Sequence, residues 1–353
     1  MRPGYFLLIV LLLSLQSGFS QSLSNRYSEF FTIGVAITPR STTTDEAKLI
    51  VSQFNSVTAE NAMKMGPVHP QEDQYNWAGP DSIVAFAQSS GMKVRGHTLV
   101  WHNQTPAWIF KDANGQEVNK EILLKRLKEH ITTVVTRYRG KIYAWDVVNE
   151  AISDNPNEYL RNSNWLKICG PEYINLAFQW AHDADPDAIL FYNDYNETDP
   201  VKREKIYRLI SELKSQGVPV SGLGLQAHWN IYHPSAAQID SALQLYSKLN
   251  VNLQVTELDL SVYPSGPDST FKPGTIPAEF TPQQEQKQIE KYREIFAIFR
   301  KYKKQITSIT FWNISDRRSW LDNFPVRGRK NYPLLFDKDL KPKRAFDAVM
   351  NFQ

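Results

Sequence analysis

The chain has 353 residues, of which 42% are hydrophobic and 22% are charged, so it is long enough for one large globular domain. Its 40 Lys and Arg residues against 37 Asp and Glu residues leave a net charge of +3, and no basic block stands apart from the acidic residues, which does not favour a nucleic-acid partner. The single cysteine, Cys169, excludes an intramolecular disulfide. We expect this thiol to be a small buried group rather than a nucleophile.

The first 20 residues predict an export signal. A basic start at Met1–Arg2 precedes an almost wholly apolar run from Phe6 to Leu15, and small residues lead to Ser20. The run is too short for a membrane span, and no second one follows. We therefore expect a signal peptide over residues 1–20, cleavage near Ser20, and a secreted or periplasmic mature chain over residues 21–353.

From residue 31 onward, short β-rich runs alternate with longer helical patterns. In chain order, the predicted strands cover residues 31–37, 56–61, 93–101, 142–150, 188–194, 222–229, 252–260 and 306–314. The predicted helices begin at Thr43 or Thr44 and then cover residues 80–90, 120–138, 173–184, 201–216, 236–249, 282–303 and 343–351. Eight such units predict an α/β fold, a closed (β/α)8 TIM barrel in one domain.

Other features of the chain bear on that prediction. No Gly-x-Gly-x-x-Gly motif follows the first strand, which disfavours a dinucleotide-binding sheet. Two long loops, at residues 111–118 and 263–281, follow strand ends and should border the mouth of the barrel.

Polar and aromatic side chains gather at the predicted carboxyl ends of the strands, which in this fold open onto one mouth. They are Glu60, Asn61, Lys64, His97, Trp101, Asn149, Glu150, Asn193, Tyr195, Gln226, His228, Glu257, Asp259 and Trp312. Strand ends used only for packing would carry branched apolar residues instead. Since side chains two apart share a face of a strand, Gln226 should point the same way as His228, and Glu257 the same way as Asp259.

Two of these residues are glutamates that each end a short β-branched and aromatic run. They are Glu150 in Trp-Asp-Val-Val-Asn-Glu and Glu257 in Gln-Val-Thr-Glu-Leu-Asp. Two facing carboxyls are the minimum equipment for cleaving a glycosidic bond. A metal site is not predicted, because the sequence has no His-Glu-x-x-His motif or Cys pair and His97 and His102 fall on opposite strand faces. No cofactor is expected.

The blocks that carry these residues resemble family 10 glycoside hydrolases, the β-1,4-xylanases. They are residues 54–64, 96–102, 145–150, 224–229 and 256–259, which follow the family's order along almost the whole chain. The resemblance implies an endo-1,4-β-xylanase that acts on xylan and xylo-oligosaccharides with a retaining mechanism. Glu150 would be the general acid/base and Glu257 the nucleophile. We expect a monomer.

The same resemblance implies substrate contacts. Asn149 would bind the sugar 2-hydroxyl, and Trp312 and Trp320 would form an aromatic wall that favours xylose. The glycone-side contacts would be Glu60, Asn61, Lys64, His97, Trp101 and Gln226. The leaving-group side would include Asn193 and Tyr195, and His228 and Asp259 would hold the nucleophile ionised. One departure is Asn313, which stands where many family members have glycine.

Two other functions are compatible with these residues. The first is a retaining barrel glycosidase that acts on cellulose or mixed-linkage glucan. The second is a carbohydrate-binding barrel without catalysis, which is disfavoured because both carboxyls and their supporting side chains, His228 and Asp259, are present.

Overall fold

The computed structural model describes residues 22–264 and 280–352. The predicted signal peptide and most of the predicted loop at 263–281 lie outside the described residues. The other predicted loop, at 111–118, folds back on itself through an antiparallel bridge between Lys111 and Glu117. Within the described ranges, no helix is both long enough and apolar enough to cross a membrane.

Parallel strands of the described chain close into one barrel, as predicted. They are β1 (Thr32–Ile37), β2 (Ser56–Ala59), β3 (Lys93–Val100), β4 (Ala144–Asn149), β5 (Ile189–Asp194), β6 (Gly222–Leu225), β7 (His228–Asn230), β8 (Asn252–Ser261) and β9 (Ile306–Phe311). Pairing runs from β1 through β6, and the ring closes because β6 pairs with β8, β8 with β9, and β9 with β1. The short β7 pairs with β8 and extends the sixth barrel position, so the barrel has eight positions.

Helices cover the outside of the barrel. They are α1 (Leu23–Arg26), α2 (Glu46–Gln53), α3 (Met65–Val68), α4 (Ala78–Ser89), α5 (Lys120–Arg137), α6 (Asn164–Cys169), α7 (Glu172–Ala184), α8 (Pro200–Ser215), α9 (Ala236–Tyr246), α10 (Pro282–Lys301) and α11 (Arg344–Met350). The eight longer patterns were predicted from the sequence, whereas the short helices α1, α3 and α6 were not. Helix α8 illustrates a local cause: the Asp199 side chain accepts hydrogen bonds from two backbone N–H groups of its first turn, and Pro200 begins it.

Strands enclosed on both faces explain where the core lies. All residues of β8 from Leu253 to Ser261 are buried, because one face points into the barrel and the other toward the helices.

Cys169 is buried at the end of α6, as expected. Burial raises the pKa of this thiol to about 11, which opposes a role as a nucleophile.

The prediction of one continuous sixth strand is wrong. Residues 222–225 pair with β8 at an offset of 30 (252 minus 222), whereas His228 pairs with Asp259 at an offset of 31 (259 minus 228). The change occurs at Ala227, whose φ is 58°, a left-handed conformation that no regular strand contains. The alternation rule therefore does not apply between Gln226 and His228.

Candidate active site

The two glutamates at the mouth of the barrel have different backbone conformations. Glu257 lies inside β8, whereas Glu150 directly follows β4 with a φ of 57°. The backbone N–H of Glu150 donates to the carbonyl oxygen of Asn193 at 2.9 Å, which ties this turn to the end of β5. The end of β5 thus fixes the position of the turn that carries Glu150.

A chain of amide side chains connects the two carboxyls. Asn193 Nδ2 donates to Glu257 Oε1 and to Asn149 Oδ1, both at 2.8 Å. Gln226 Nε2 donates to Glu150 Oε1 at 3.0 Å and to the same Asn149 oxygen at 3.3 Å. The predicted residues Asn149, Asn193 and Gln226 therefore meet between the glutamates and orient both.

Cationic and hydrogen-bonding groups surround Glu257. Besides Asn193, His228 Nε2 lies 3.0 Å from Glu257 Oε2, and His97 Nδ1 lies 4.0 Å from Glu257 Oε1. Burial alone would raise the pKa of Glu257, but His97, His228 and Lys64 outweigh that effect and lower it to about 2. Glu257 is therefore ionised at neutral pH.

His228 bridges two carboxylates. Its Nδ1 lies 3.0 Å from Asp259 Oδ2, opposite its contact with Glu257, and Trp320 Nε1 donates to the same Asp259 oxygen at 2.7 Å. Burial would lower the pKa of His228, but the two flanking carboxylates raise it to about 10. The ring is thus an imidazolium that donates to both neighbours.

Glu150 has a different environment. Trp101 Nε1 donates to its Oε2 at 2.8 Å, while Gln226 holds its Oε1. Burial raises the pKa of Glu150, and the negative charges of Asp194 and Glu257 add to that effect, while the two neutral donors oppose it only in part. Of the two carboxyls, Glu150 is the one that more readily holds a proton.

Lys64 contacts Asn61, a residue that lines a neighbouring cavity, and Trp101. Its Nζ donates to Asn61 Oδ1 at 2.9 Å and lies 4.9 Å from the centre of the Trp101 ring. Burial lowers the pKa of Lys64, against the opposing charges of Glu257, Glu60 and Glu150. The cavity, of about 360 Å³, is lined by Glu60, Asn61, Asn313 and Trp320, among others.

The predicted aromatic residues border the Glu257 side of the site. Trp312 is buried and meets His97 and His228 nearly edge-to-face, with ring centres 5.3 and 6.2 Å apart. Trp320 lies 4.8 Å from the His228 ring. Both indoles therefore pack against the histidines that contact the nucleophile candidate.

The structure places Tyr195 in a charged cluster whose Arg161 Nε donates to the backbone carbonyl oxygen of Glu150 at 2.9 Å. Its hydroxyl donates to Asp154 and accepts from Arg161 Nη2 at 2.8 Å, and Lys202 Nζ lies 3.7 Å from its ring centre. Asp154 and Lys202 also line a second cavity, of about 670 Å³, which His228 reaches as well. Tyr195 thus belongs to a cluster that borders the second cavity and not the cavity lined by Glu60 and Trp320.

Sequence reasoning missed several residues of the site. His97 Nδ1 contacts Asp146 Oδ2 at 2.8 Å, and Asp146 is in turn held by Arg95. Asp146 stands inside the Trp-Asp-Val-Val-Asn-Glu block, so a carboxyl group in an otherwise apolar stretch of β4 was a usable signal. Asp154, Arg161 and Lys202 come from loops and a helix, where the sequence pattern carries no comparable signal.

Within the described residues, no cluster of three or more His, Cys, Asp or Glu side chains is arranged to hold a metal ion. Many polar groups of the site instead hydrogen-bond to one another. Such a mouth, with one ionised and one protonatable carboxyl among amides and indoles, suits acid–base and nucleophilic chemistry on a neutral polar substrate.

The glycosyl hydrolase family 10 model matches residues 22–352. The chain belongs to this family. It is 53% identical to endo-1,4-beta-xylanase B of Paenibacillus barcinonensis, over 93% of this chain and 97% of that protein. It is 46% identical to a beta-1,4-xylanase of Dictyoglomus thermophilum, over 99% of each.

A solved family 10 relative has the same architecture. The crystal structure of xylanase XynB from Paenibacillus barcinonensis, complexed with a conduramine derivative, superposes with a TM-score of 0.90 at 51% identity and covers 95% of this chain and 99% of that one. The resemblance inferred from the motifs and the predicted barrel are both confirmed. The chain is a glycoside hydrolase.

Proposed function

We propose that this family 10 enzyme is an endo-1,4-β-xylanase that hydrolyses xylan with retention of configuration. Glu257 is the nucleophile and Glu150 the general acid/base. The observation that carries the proposal is the opposite electrostatic setting of the two carboxyls: cationic neighbours keep Glu257 ionised, whereas burial and negative charge favour a proton on Glu150. A retaining glycosidase requires this division.

In the first step, Glu257 attacks the anomeric carbon while the glycosidic C–O bond breaks. Glu150 gives its proton to the departing oxygen, so the leaving sugar departs as a neutral alcohol. The product is a glycosyl ester on Glu257. The anionic Glu150 that remains is stabilised by the donors Trp101 and Gln226.

In the second step, Glu150 takes a proton from water as the water oxygen attacks the same anomeric carbon. The ester bond to Glu257 breaks, which restores both carboxyls and releases a sugar with its original configuration. His228 stays protonated throughout and holds Glu257 through Nε2. Asn149, fixed by Asn193 and Gln226, is positioned to contact the sugar hydroxyl nearest the reacting carbon.

The choice of xylan rests on two supports. The similar proteins from Paenibacillus and Dictyoglomus are named xylanases, and Trp312 and Trp320 crowd the histidines beside Glu257. Close packing of these indoles beside the sugar favours xylose, because xylose lacks the exocyclic hydroxymethyl group of glucose. A glucan-cleaving enzyme with the same carboxyl pair is the alternative to test.

The test uses the purified mature chain. Release of reducing ends from xylan and from carboxymethylcellulose is compared first, and we expect xylan to be cleaved faster by at least about tenfold, a difference of one pocket contact or more. Proton NMR then follows the anomer released from an aryl β-xylobioside, and we expect the β-anomer to form first. Faster cleavage of the cellulose derivative would contradict the substrate, and an initial α-anomer would contradict retention.

We also propose that the enzyme is exported after cleavage near Ser20 and acts as a monomer. The apolar run from Phe6 to Leu15 and the small residues after it support export. N-terminal sequencing of the protein recovered outside the cytoplasm tests the cleavage position, and light scattering of the purified chain tests the monomer.

A further inference from the structure

Asn313 has a backbone conformation that side chains disfavour. It follows β9 by two residues, at a φ of 105°. Side chains of L-residues crowd the backbone in this region, so glycine is the residue that adopts it without strain. Strained positions that persist near an active site point to a use for the side chain.

The use is a single contact with Glu60. Asn313 Nδ2 donates to Glu60 Oε2 at 3.0 Å, whereas Asn313 Oδ1 is buried and has no hydrogen-bond partner among the described residues. The amide thus leaves its own acceptor unsatisfied, which is unfavourable for a buried group. In the part of the chain that the structure describes, no other side chain donates to the Glu60 carboxylate.

Glu60 lines the cavity of about 360 Å³ together with Asn61 and Trp320, and the lining includes neither Glu150 nor Glu257. Trp320, which also lines it, lies 4.8 Å from the ring of His228, which in turn contacts Glu257. A sugar in this cavity is therefore a neighbour of the sugar that is attacked. A carboxylate held at one oxygen keeps its other oxygen in a fixed place, where it can accept from a sugar hydroxyl without first losing rotational freedom.

We infer that Asn313 is a positioning residue: by holding Glu60 Oε2, it presents Glu60 Oε1 to the glycone sugar next to the one undergoing attack. The inference rests on the proposed function. It assigns to Asn313 a part in binding that second sugar and none in the chemistry at the first.

Two aryl glycosides separate those sugars. An aryl β-xyloside fills only the position at the carboxyls, whereas an aryl β-xylobioside also fills the neighbouring cavity. In Asn313→Gly, Glu60 must lose rotational freedom when the xylobioside binds, so we expect kcat/KM for this substrate to fall about three- to tenfold. For the xyloside, kcat/KM should change by less than about twofold. Equal losses on both substrates, or no loss, would overturn the inference. A wild-type chain that cleaves neither substrate would instead contradict the proposed function.

Asn313→Asp is the matched variant, because it keeps the shape and replaces the donor by an acceptor. At neutral pH the introduced carboxylate then repels the Glu60 carboxylate instead of holding it. The higher kcat/KM for the xylobioside, relative to the xyloside, is lost. As the pH falls toward about 5, a single proton shared between Asp and Glu60 restores the hydrogen bond. We therefore consider the ratio of kcat/KM for the xylobioside to kcat/KM for the xyloside. This ratio should rise as the pH falls in Asn313→Asp and stay constant with pH in Asn313→Gly.

A purely structural role for Asn313 predicts a different result. The ratio would then be independent of pH in both variants, and that outcome would overturn the inference. Thermal unfolding controls for folding: glycine relieves the strained φ, so Asn313→Gly should have a Tm no lower than that of the wild type. A Tm well below the wild-type value would show that the side chain serves the fold.

Discussion

Glu150 and Glu257 are both buried in the same barrel mouth, yet their pKa values move in opposite directions. Burial raises the pKa of each carboxyl. Around Glu257, His228, His97 and Lys64 reverse that effect, whereas the charges that act on Glu150 are negative. The comparison teaches that the sign of the neighbouring charge, and not the depth of burial, distinguishes the pKa values of the two carboxyls and hence their proposed roles.

The division is built from few side chains. Asn149 accepts from Asn193, which serves Glu257, and from Gln226, which serves Glu150. Both carboxyls are therefore held by neutral amides of one network, and what distinguishes them is the imidazolium of His228 on one side and the indole of Trp101 on the other. A variant can therefore alter the surroundings of one carboxyl and leave those of the other in place.

Glu257→Ala should have the largest effect. It removes the proposed nucleophile, so we expect kcat on xylan and on aryl xylosides to fall by at least about 10⁴-fold. Glu129→Ala, on the exposed face of α5, is the control and should retain full activity. More than about one per cent of wild-type kcat in Glu257→Ala would show that the nucleophile is elsewhere.

Glu150→Ala should have a smaller effect that depends on the leaving group. General acid catalysis contributes about 10²- to 10⁴-fold, so we expect losses of that order on xylan, whose leaving oxygen requires a proton. A dinitrophenyl leaving group requires none, and the rate of its first release in a burst experiment should fall far less. An equal loss on both substrates would contradict the acid role of Glu150.

The sequence predicted the barrel and the residues at its mouth because both depend on local pattern. Alternating strands and helices imply the barrel, and polar residues at strand ends, such as Glu150, imply the site. The single error in strand continuity, at Ala227, comes from a left-handed residue that alanine gives no reason to expect. It matters because Gln226 and His228, on either side of that break, contact different carboxyls.

Other features could not be predicted because they depend on contacts between distant segments. The cluster of Asp154, Tyr195, Arg161 and Lys202 joins two loops and a helix, and no spacing along the chain indicates that they meet. The conformation of Asn313 is likewise invisible until the backbone is known. Sequence pattern thus locates the proposed reacting groups more readily than the residues that orient them.

His228→Gln removes the imidazolium from the Glu257 side. Since His228 helps to lower the pKa of Glu257, its loss should raise that pKa and move the acid limb of the kcat/KM profile to higher pH. We expect kcat/KM at the optimum to fall about 10- to 100-fold, within the range of general electrostatic contributions. His182→Gln, outside the site on α7, is the control, and an unmoved acid limb in His228→Gln would contradict the coupling.

The same variant should change the pH dependence of stability. The pKa of His228 is raised from 6.5 to about 10 in the folded chain, so its stabilising contribution is complete below about 6.5 and is lost as the pH rises through about 10. The difference in free energy of unfolding between wild type and His228→Gln should therefore shrink from pH 6.5 to pH 10. Urea titrations across that range measure it, and a constant difference would mean that His228 is neutral in the fold.

Trp101→Phe should have the smallest effect, because it removes one neutral donor and keeps an aromatic ring beside Lys64. The indole donates to Glu150 Oε2 at 2.8 Å, which favours the ionised carboxylate and lowers the pKa of Glu150. Its loss should raise that pKa, so Glu150 holds its proton to higher pH and the basic limb of the kcat/KM profile moves to higher pH. At the optimum, kcat/KM should change only a few-fold, about the effect of one hydrogen bond. Trp180→Phe, on α7, controls for the loss of an indole elsewhere. A basic limb that moves to lower pH would mean that Trp101 does not stabilise the ionised acid, and that the contrast between the two carboxyls has another origin.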